Sequence, residues 1–210
     1  MVRLPERMRP LFPYLKPAYS VATLGVAPLA TRLSGLRGGY LPRRTVSSME
    51  DAAAHNGRVY QVRPARVIER PLPEEPKPSH PLIAENVRET VPRVALLELD
   101  GGRVLGPEAA VITADGALVD ELSRYFGTGR ARQHPLFWHP FPPPPTHVPG
   151  RLGVLASRGD RNYYHFLCDV LPRLAIVEEC PEIEVPDRWY VPQAFRFQRE
   201  LLDLAGIRED

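Results

Sequence analysis

The chain has 210 residues, of which 43% are hydrophobic and 25% charged, with 25 Pro and 15 Gly; this describes a globular chain of one domain or slightly more and excludes a disordered tail or a fibre. The prolines exceed the usual ~5% more than twofold, yet they lie in blocks without a collagen-type period and so mark linkers and loops. With 27 Lys and Arg against 25 Asp and Glu, the net charge of +2 gives no general drive toward nucleic acid.

The charge is uneven along the chain. Residues 1–49 carry eight bases and one acid, Glu6, for +7, leaving about −5 on the remainder. This arm reads as a flexible leader, with peripheral contact at an anionic inner membrane face as the alternative, which salt-dependent liposome binding would expose. Its most apolar piece, Ala18 to Ala30, contains Gly25 and Pro28 and is shorter than the ~20 residues that cross a bilayer. We therefore expect a basic, partly flexible leader over 1–57, ending in a helical turn at Asp51 to Ala54 and the Asn56-Gly57 stop.

Residues 58–149 are expected to form a β-hairpin region with Pro-rich linkers. Strand-like runs occur at Val59 to Val62 and Arg66 to Glu69, before a proline block from Pro71 to Pro81. Val94 to Leu99, the Asp100-Gly101-Gly102 turn and Arg103 to Leu105 predict one hairpin. Ala110 to Thr113, Ala114-Asp115-Gly116 and Ala117 to Val119 predict a second, leading into a short helix near Glu121 to Phe126. His134, His139 and His147 then fall among seven prolines with no acidic or Cys ligand beside them, so this loop reads as a stiff polyproline-like connector and no metal site is expected.

From residue 150 the alternation changes to strand, helix, strand, helix: Leu152 to Ala156, Asn162 to Glu179, Trp189 to Val191 and Ala194 to Ala205. This is a βαβα unit with a parallel sheet, and the fold class is α/β. Phe197, Leu201 and Leu204 are expected on the buried face of the last helix, with Gly206 as its left-handed stop. Two such units bury little by themselves, so the chain reads as a fragment or as one completed by a partner. Cys168 and Cys180, about 18 Å apart if on one helix, do not pair and fit a reducing, cytoplasmic compartment.

At about 100° per residue, Tyr163, Phe166, Leu167, Val170, Leu171, Leu174 and Val177 share one core-facing stripe of the first helix. Opposite them Arg161, His165, Asp169 and Arg173 follow one another at i, i+4, so that Asp169 can pair with both His165 and Arg173. Such a row is compatible with a solvated face. Cys168, Pro172 and Ile176 on the same side favour the wall of a cleft. A carboxylate one turn from an imidazole fixes its tautomer and suits general acid–base work. No Gly-x-Ser-x-Gly elbow supports a nucleophilic triad, and the turn Ser157 to Asn162 lacks a Gly-x-Gly-x-x-Gly or Gly-Lys-Ser/Thr phosphate loop. Pro172, lacking an N–H, should break the ladder and bend the helix.

The run Asn162-Tyr163-Tyr164-His165-Phe166-Leu167-Cys168-Asp169-Val170-Leu171-Pro172-Arg173-Leu174 resembles the Asn-Tyr-Tyr-His-(aromatic)-x-x-Asp-x-Leu-Pro-Arg-Leu signature of glycosyltransferase family 61, the capsular-polysaccharide-type glycosyltransferases. Val111 to Thr113 with Asp115-Gly116, Glu121 to Ser123, and Phe197 to Leu202 ending in Gly206-Ile207 look like the same family's N-terminal half, so the resemblance covers roughly residues 94–208. It implies a Rossmann-like N-terminal domain of a GT-B enzyme, preceded here by the hairpin region. The implied reaction moves a sugar from a nucleotide-sugar co-substrate to a glycan or polysaccharide acceptor hydroxyl, with inversion and without an essential metal or other cofactor. The second Rossmann-like domain, with its His-Gly-Ala-Gly-like donor segment, is missing from the 210 residues, so a further domain or chain would supply the donor site. By position, His165 and Asp169 are the catalytic candidates, and Asn162, Tyr164, Arg173 and Arg158 the substrate-binding ones. The alternative is a catalytically silent homologue acting as a glycan- or partner-binding module.

Overall fold

Asp115-Gly116 is the tightest turn of the first sheet, with Gly116 at φ 86°, a conformation that glycine adopts without steric cost. The computed structural model describes residues 41–207 apart from 73, 75–80, 107–108, 126–133, 135, 137–143 and 192. Across this turn β7 (Ala110–Ile112) and β8 (Ala117–Val119) pair antiparallel, as the second hairpin was expected to do. Thr113 closes it: its hydroxyl accepts from Ala117 N–H at 2.8 Å, and its own N–H donates to Ala117 O at 2.9 Å.

β6 (Arg103–Leu105) adds to the far edge of β7, and β1 (Arg44–Val46) runs parallel to β8, giving the order β1-β8-β7-β6. The boundary of the leader therefore lies before residue 57. β1 and α1 (Met49–Asn56) belong to the folded body, because the β1 backbone completes the β8 ladder and Met49 and Ala52 are buried. Ser48 caps α1 by accepting from Asp51 N–H at 3.1 Å. Arg44, counted above in the basic arm, pairs with Asp115. Residues 1–40 of the arm, including Ala18 to Ala30, lie outside the described residues, as do His139, Phe126 and most of both proline blocks.

The first expected hairpin does not form. β5 (Val94–Leu99) pairs antiparallel with β2 (Gly57–Arg63), in one register from Gly57 opposite Leu99 to Gln61 opposite Ala95 and shifted by one residue where Arg63 meets Val94, while β6 goes to β7. The Gly101 turn, at φ 64°, carries the chain from one sheet to the other, and Asp100 N–H donates to Asn56 O at 2.9 Å. Pairing with seven-residue β2 gives β5 a ladder along its whole length, which three-residue β6 cannot offer. β3 (Arg66–Glu69) and β4 (Arg88–Val91) form a separate antiparallel pair, with α2 (Pro81–Glu85) between them in sequence. Nor is there a helix at Glu121: residues 121–123 are turns, because Glu121 accepts from Met49 N–H at 2.9 Å and the Ser123 hydroxyl from Val111 N–H at 2.9 Å.

In the C-terminal region β9 (Leu152–Val154) and β10 (Arg188–Tyr190) are parallel, with Trp189 opposite Gly153. A parallel pair needs a crossover. It is supplied by α3 (Tyr163–His165), a π-helical stretch (Phe166–Val170) and α4 (Pro172–Glu178); α5 (Arg196–Leu204) follows β10. The expected βαβα order is present, and Leu155, Phe166, Val170 and Leu202 form its core. α5 ends in a Schellman cap, with Gly206 at φ 78°, Ile207 N–H on Leu202 O at 2.9 Å and Gly206 N–H on Asp203 O at 3.0 Å. Three expectations on buried faces change, among them Leu167, expected on the core-facing stripe and 40% exposed. Leu204 is 83% exposed, and the covered stripe of α5 runs through Gln198 and Leu202. Tyr163, expected in the core, is 54% exposed, because a single 3.6-residue wheel averages two helical halves that the π turn puts out of phase. Tyr190 Oη donates to Gly106 O at 2.9 Å, and Arg151 pairs with Glu98, fastening this region to the strands before it.

Candidate active site

Asn162 starts the crossover helix: its Oδ1 accepts from Tyr164 N–H at 2.9 Å, the ordinary action of an N-cap. One turn on, the ladder slips. Phe166 N–H bonds Asn162 O at 2.9 Å in the α pattern, but Leu171 N–H reaches back five residues to Phe166 O at 3.0 Å. Pro172 then opens α4, at a position where a missing N–H costs nothing. The expected break at Pro172 is thus a π turn immediately ahead of it, a feature often found at functional sites.

His165 and Asp169 stay paired across the slip. His165 Nδ1 lies 2.7 Å from Asp169 Oδ2, and the two side chains are 43% and 52% exposed. With the neutral ring's proton on Nδ1 and donated to Asp169, Nε2 is left as the ring's basic nitrogen. An i, i+4 pair this exposed adds only a few tenths of a kcal/mol to stability, as a pair on a solvated helix face does. Tyr164, well exposed, meets the His165 ring edge to face at 5.5 Å.

The other expected site residues take different places. Arg173 does not reach the Asp169 carboxylate: Nε donates to the Asp169 backbone carbonyl at 3.0 Å and Nη1 to Ala156 O at 2.8 Å. The reason is the loosened ladder, which turns a carbonyl toward the side chain and ties it to the end of the β9 segment. Burial lowers the Arg173 guanidinium from its ordinary value, against the opposing charges of Asp169 and Asp160. Arg158 lies over the ring of Tyr125, 3.7 Å from its centroid, so the turn after β9 is packed against the segment following β8.

Two residues escaped the sequence reading. Gln198, fully buried, accepts at Oε1 from Ala194 N–H at 2.8 Å and Phe195 N–H at 2.9 Å, and donates from Nε2 to Asp160 O at 2.9 Å. It pins the loop after β9 to the loop after β10, the carboxyl edge where open α/β sheets place their ligands. Its only sequence signal is a Gln at the third position of a helix. Gly159 passes so close to His165 that a Cβ there would lie 2.9 Å from both Cβ and Cγ of the histidine. Beside them Tyr163, Phe197 and Phe195 form an aromatic run, with Tyr163 edge-on to Phe197 at 5.5 Å and Phe195 stacked on it at 5.8 Å. Arg161 sits 5.8 Å over Phe195.

Cys168 is exposed and Cys180 buried, and both are free thiols. Among the described residues no group of three His, Cys, Asp or Glu is placed to hold a metal, and no helix is long and apolar enough to cross a membrane. No family model, curated protein or solved structure matches the chain.

Proposed function

We propose that the chain is the acceptor-side half of an inverting glycosyltransferase resembling family 61, with His165 as the base that deprotonates the acceptor hydroxyl. The observation that carries this reading is the His165 Nδ1 to Asp169 Oδ2 contact of 2.7 Å within the Asn162 to Leu174 run. In a single displacement, Nε2 takes the hydroxyl proton, the oxygen forms a bond to the anomeric carbon, and the bond from that carbon to the phosphate oxygen of the nucleotide breaks with its electron pair on the leaving nucleotide. Asp169 holds the tautomer and stabilises the imidazolium that forms. Tyr164 and the Tyr163–Phe195 aromatics offer faces for sugar rings. The nucleotide-sugar would bind on a second domain or chain, without a metal.

Sugar transfer from a panel of UDP-, GDP- and CMP-sugars to oligosaccharide acceptors, with and without EDTA and with the donor-binding partner present, tests this. His165→Ala is expected to lower kcat by about 10²–10⁴-fold, the usual weight of a general base, with Asp169→Asn next. Unchanged transfer by both variants would overturn the assignment. The exposure of Tyr163, Tyr164 and Phe195 also favours a second reading, a glycan-binding module without catalysis; oligosaccharide binding that survives His165→Ala, with no transfer under any condition, would select it.

A further inference from the structure

The geometry points to Gly159 as the positioning residue for His165, and we propose that its lack of a side chain is what lets the imidazole reach Asp169. Gly159 does not owe its place to backbone conformation, since it is not among the glycines with positive φ. Space is what requires it. A Cβ at 159 would stand 2.9 Å from His165 Cβ, 2.9 Å from Cγ and 3.2 Å from Cδ2. These atoms lie at the root of the side chain, so rotating the far end of the ring does not relieve the contact. The ring would have to leave the turn backbone, carrying Nδ1 away from its 2.7 Å partner.

The surroundings hold the turn, so it is the ring that gives way, toward its half-exposed side. Tyr164 meets the ring at 5.5 Å on one side. The backbone after Gly159 is held on both flanks, because Asn162 N–H bonds Gly159 O at 2.9 Å and buried Gln198 holds Asp160 O at 2.9 Å. The turn after β9 is therefore a fixed floor under the imidazole, and Gly159 sets the height at which the ring lies. The inference deepens the proposed function, because it rests on His165 being the working base, but its test reads the ring directly.

In the wild-type chain, NMR should show a contact between Gly159 Hα and His165 Hδ2, and ring ¹⁵N shifts should place the neutral proton on Nδ1. Gly159→Ala should move that proton largely to Nε2, as Asp169→Ala should do without touching the turn. The alanine suits an ordinary φ, so the backbone amide spectrum should stay folded. Where transfer is measurable, Gly159→Ala should lower kcat about 10²-fold and leave the donor KM unchanged. Absence of the wild-type contact, or an unchanged Nδ1 proton in a folded Gly159→Ala chain, overturns the proposal. Failure of His165→Ala to alter transfer would instead remove the catalytic reading and leave the ring measurements to decide the role of Gly159.

Discussion

In the sheet of β1, β8, β7 and β6, buried polar side chains bond within their own stretch of chain. Thr113 serves Ala117, Ser123 serves Val111, and His134, buried against Leu136, accepts from Leu136 N–H through Nδ1 at 3.1 Å. Beyond those buried groups, part-buried Glu121 reaches Met49 N–H 72 residues away, whereas in the βαβα unit it is the buried side chain itself, Gln198, that adds a long-range bond to its local ones with Ala194 and Phe195. Gln198 bonds a carbonyl 38 residues away, and Arg173 one 17 residues away. The first arrangement closes turns. The second holds separate loops at the carboxyl edge of β9 and β10 in fixed relation, which a site needs and a stable sheet does not.

The comparison breaks most sharply at Gln198. Replacing it with Leu leaves the buried Asp160 carbonyl without its partner and frees the N–H groups of exposed Ala194 and Phe195 to water, so we expect a loss of about 3 kcal/mol in urea unfolding, most of it from the orphaned carbonyl. Thr113→Val, which removes only a local turn bond, should cost clearly less; equal losses would mean that the long-range bonds have no special weight.

His134 sharpens the other side. Burial pushes its imidazole from 6.5 to about 4, opposed by the Asp120 charge, and its buried Nε2 has no hydrogen-bond partner among the described residues. Because the folded value lies below the unfolded one, stability is complete above about pH 6.5 and falls as pH drops toward 4, where the folded ring also takes its proton. At 1.36 kcal/mol per unit the loss across the window is roughly 3 kcal/mol. Glu50, Asp51 and Glu179 are held below their ordinary values by Arg93, Ser48 and Arg63, so their contribution to stability also falls at the acid end, and the His134 variant is needed to isolate the histidine's share. Urea midpoints at pH 7, 5.5 and 4.5 should show the slope, and His134→Phe should flatten it. A slope that survives the substitution would assign it to another group.

Legibility follows the same division. The Asp115-Gly116 turn, the β7–β8 hairpin, the βαβα order, the Gly206 stop and the i, i+4 approach of His165 and Asp169 are all decided within a few residues, and pattern reading finds them. The choice of β2 over β6 by β5 depends on ladder length across some 40 residues and leaves no local trace. Pro172 announced a break, but its form as a π turn shifts the phase of the helix, which is why Tyr163 faces out. Gln198 and Gly159 were invisible for a simpler reason. A polar side chain inside an apolar stripe, and a missing side chain beneath a histidine, acquire meaning only when the packed neighbour is in view.

The smallest effect isolates the helix start that both readings rely on. Asn162→Ala removes the oxygen that accepts Tyr164 N–H at 2.9 Å, and loss of an N-cap costs about 1 kcal/mol. Asn162→Asp keeps that oxygen and adds charge favourable to a helix N-terminus, so it should retain or exceed wild-type stability. The pair also separates capping from ligand contact. If Asn162 acts only as a cap, oligosaccharide binding or transfer should follow stability through the two variants, low for Ala and restored for Asp. If its amide nitrogen holds a substrate hydroxyl, Asp will preserve the melting temperature while weakening binding, and Asn162 will belong to the site together with His165 and Tyr164.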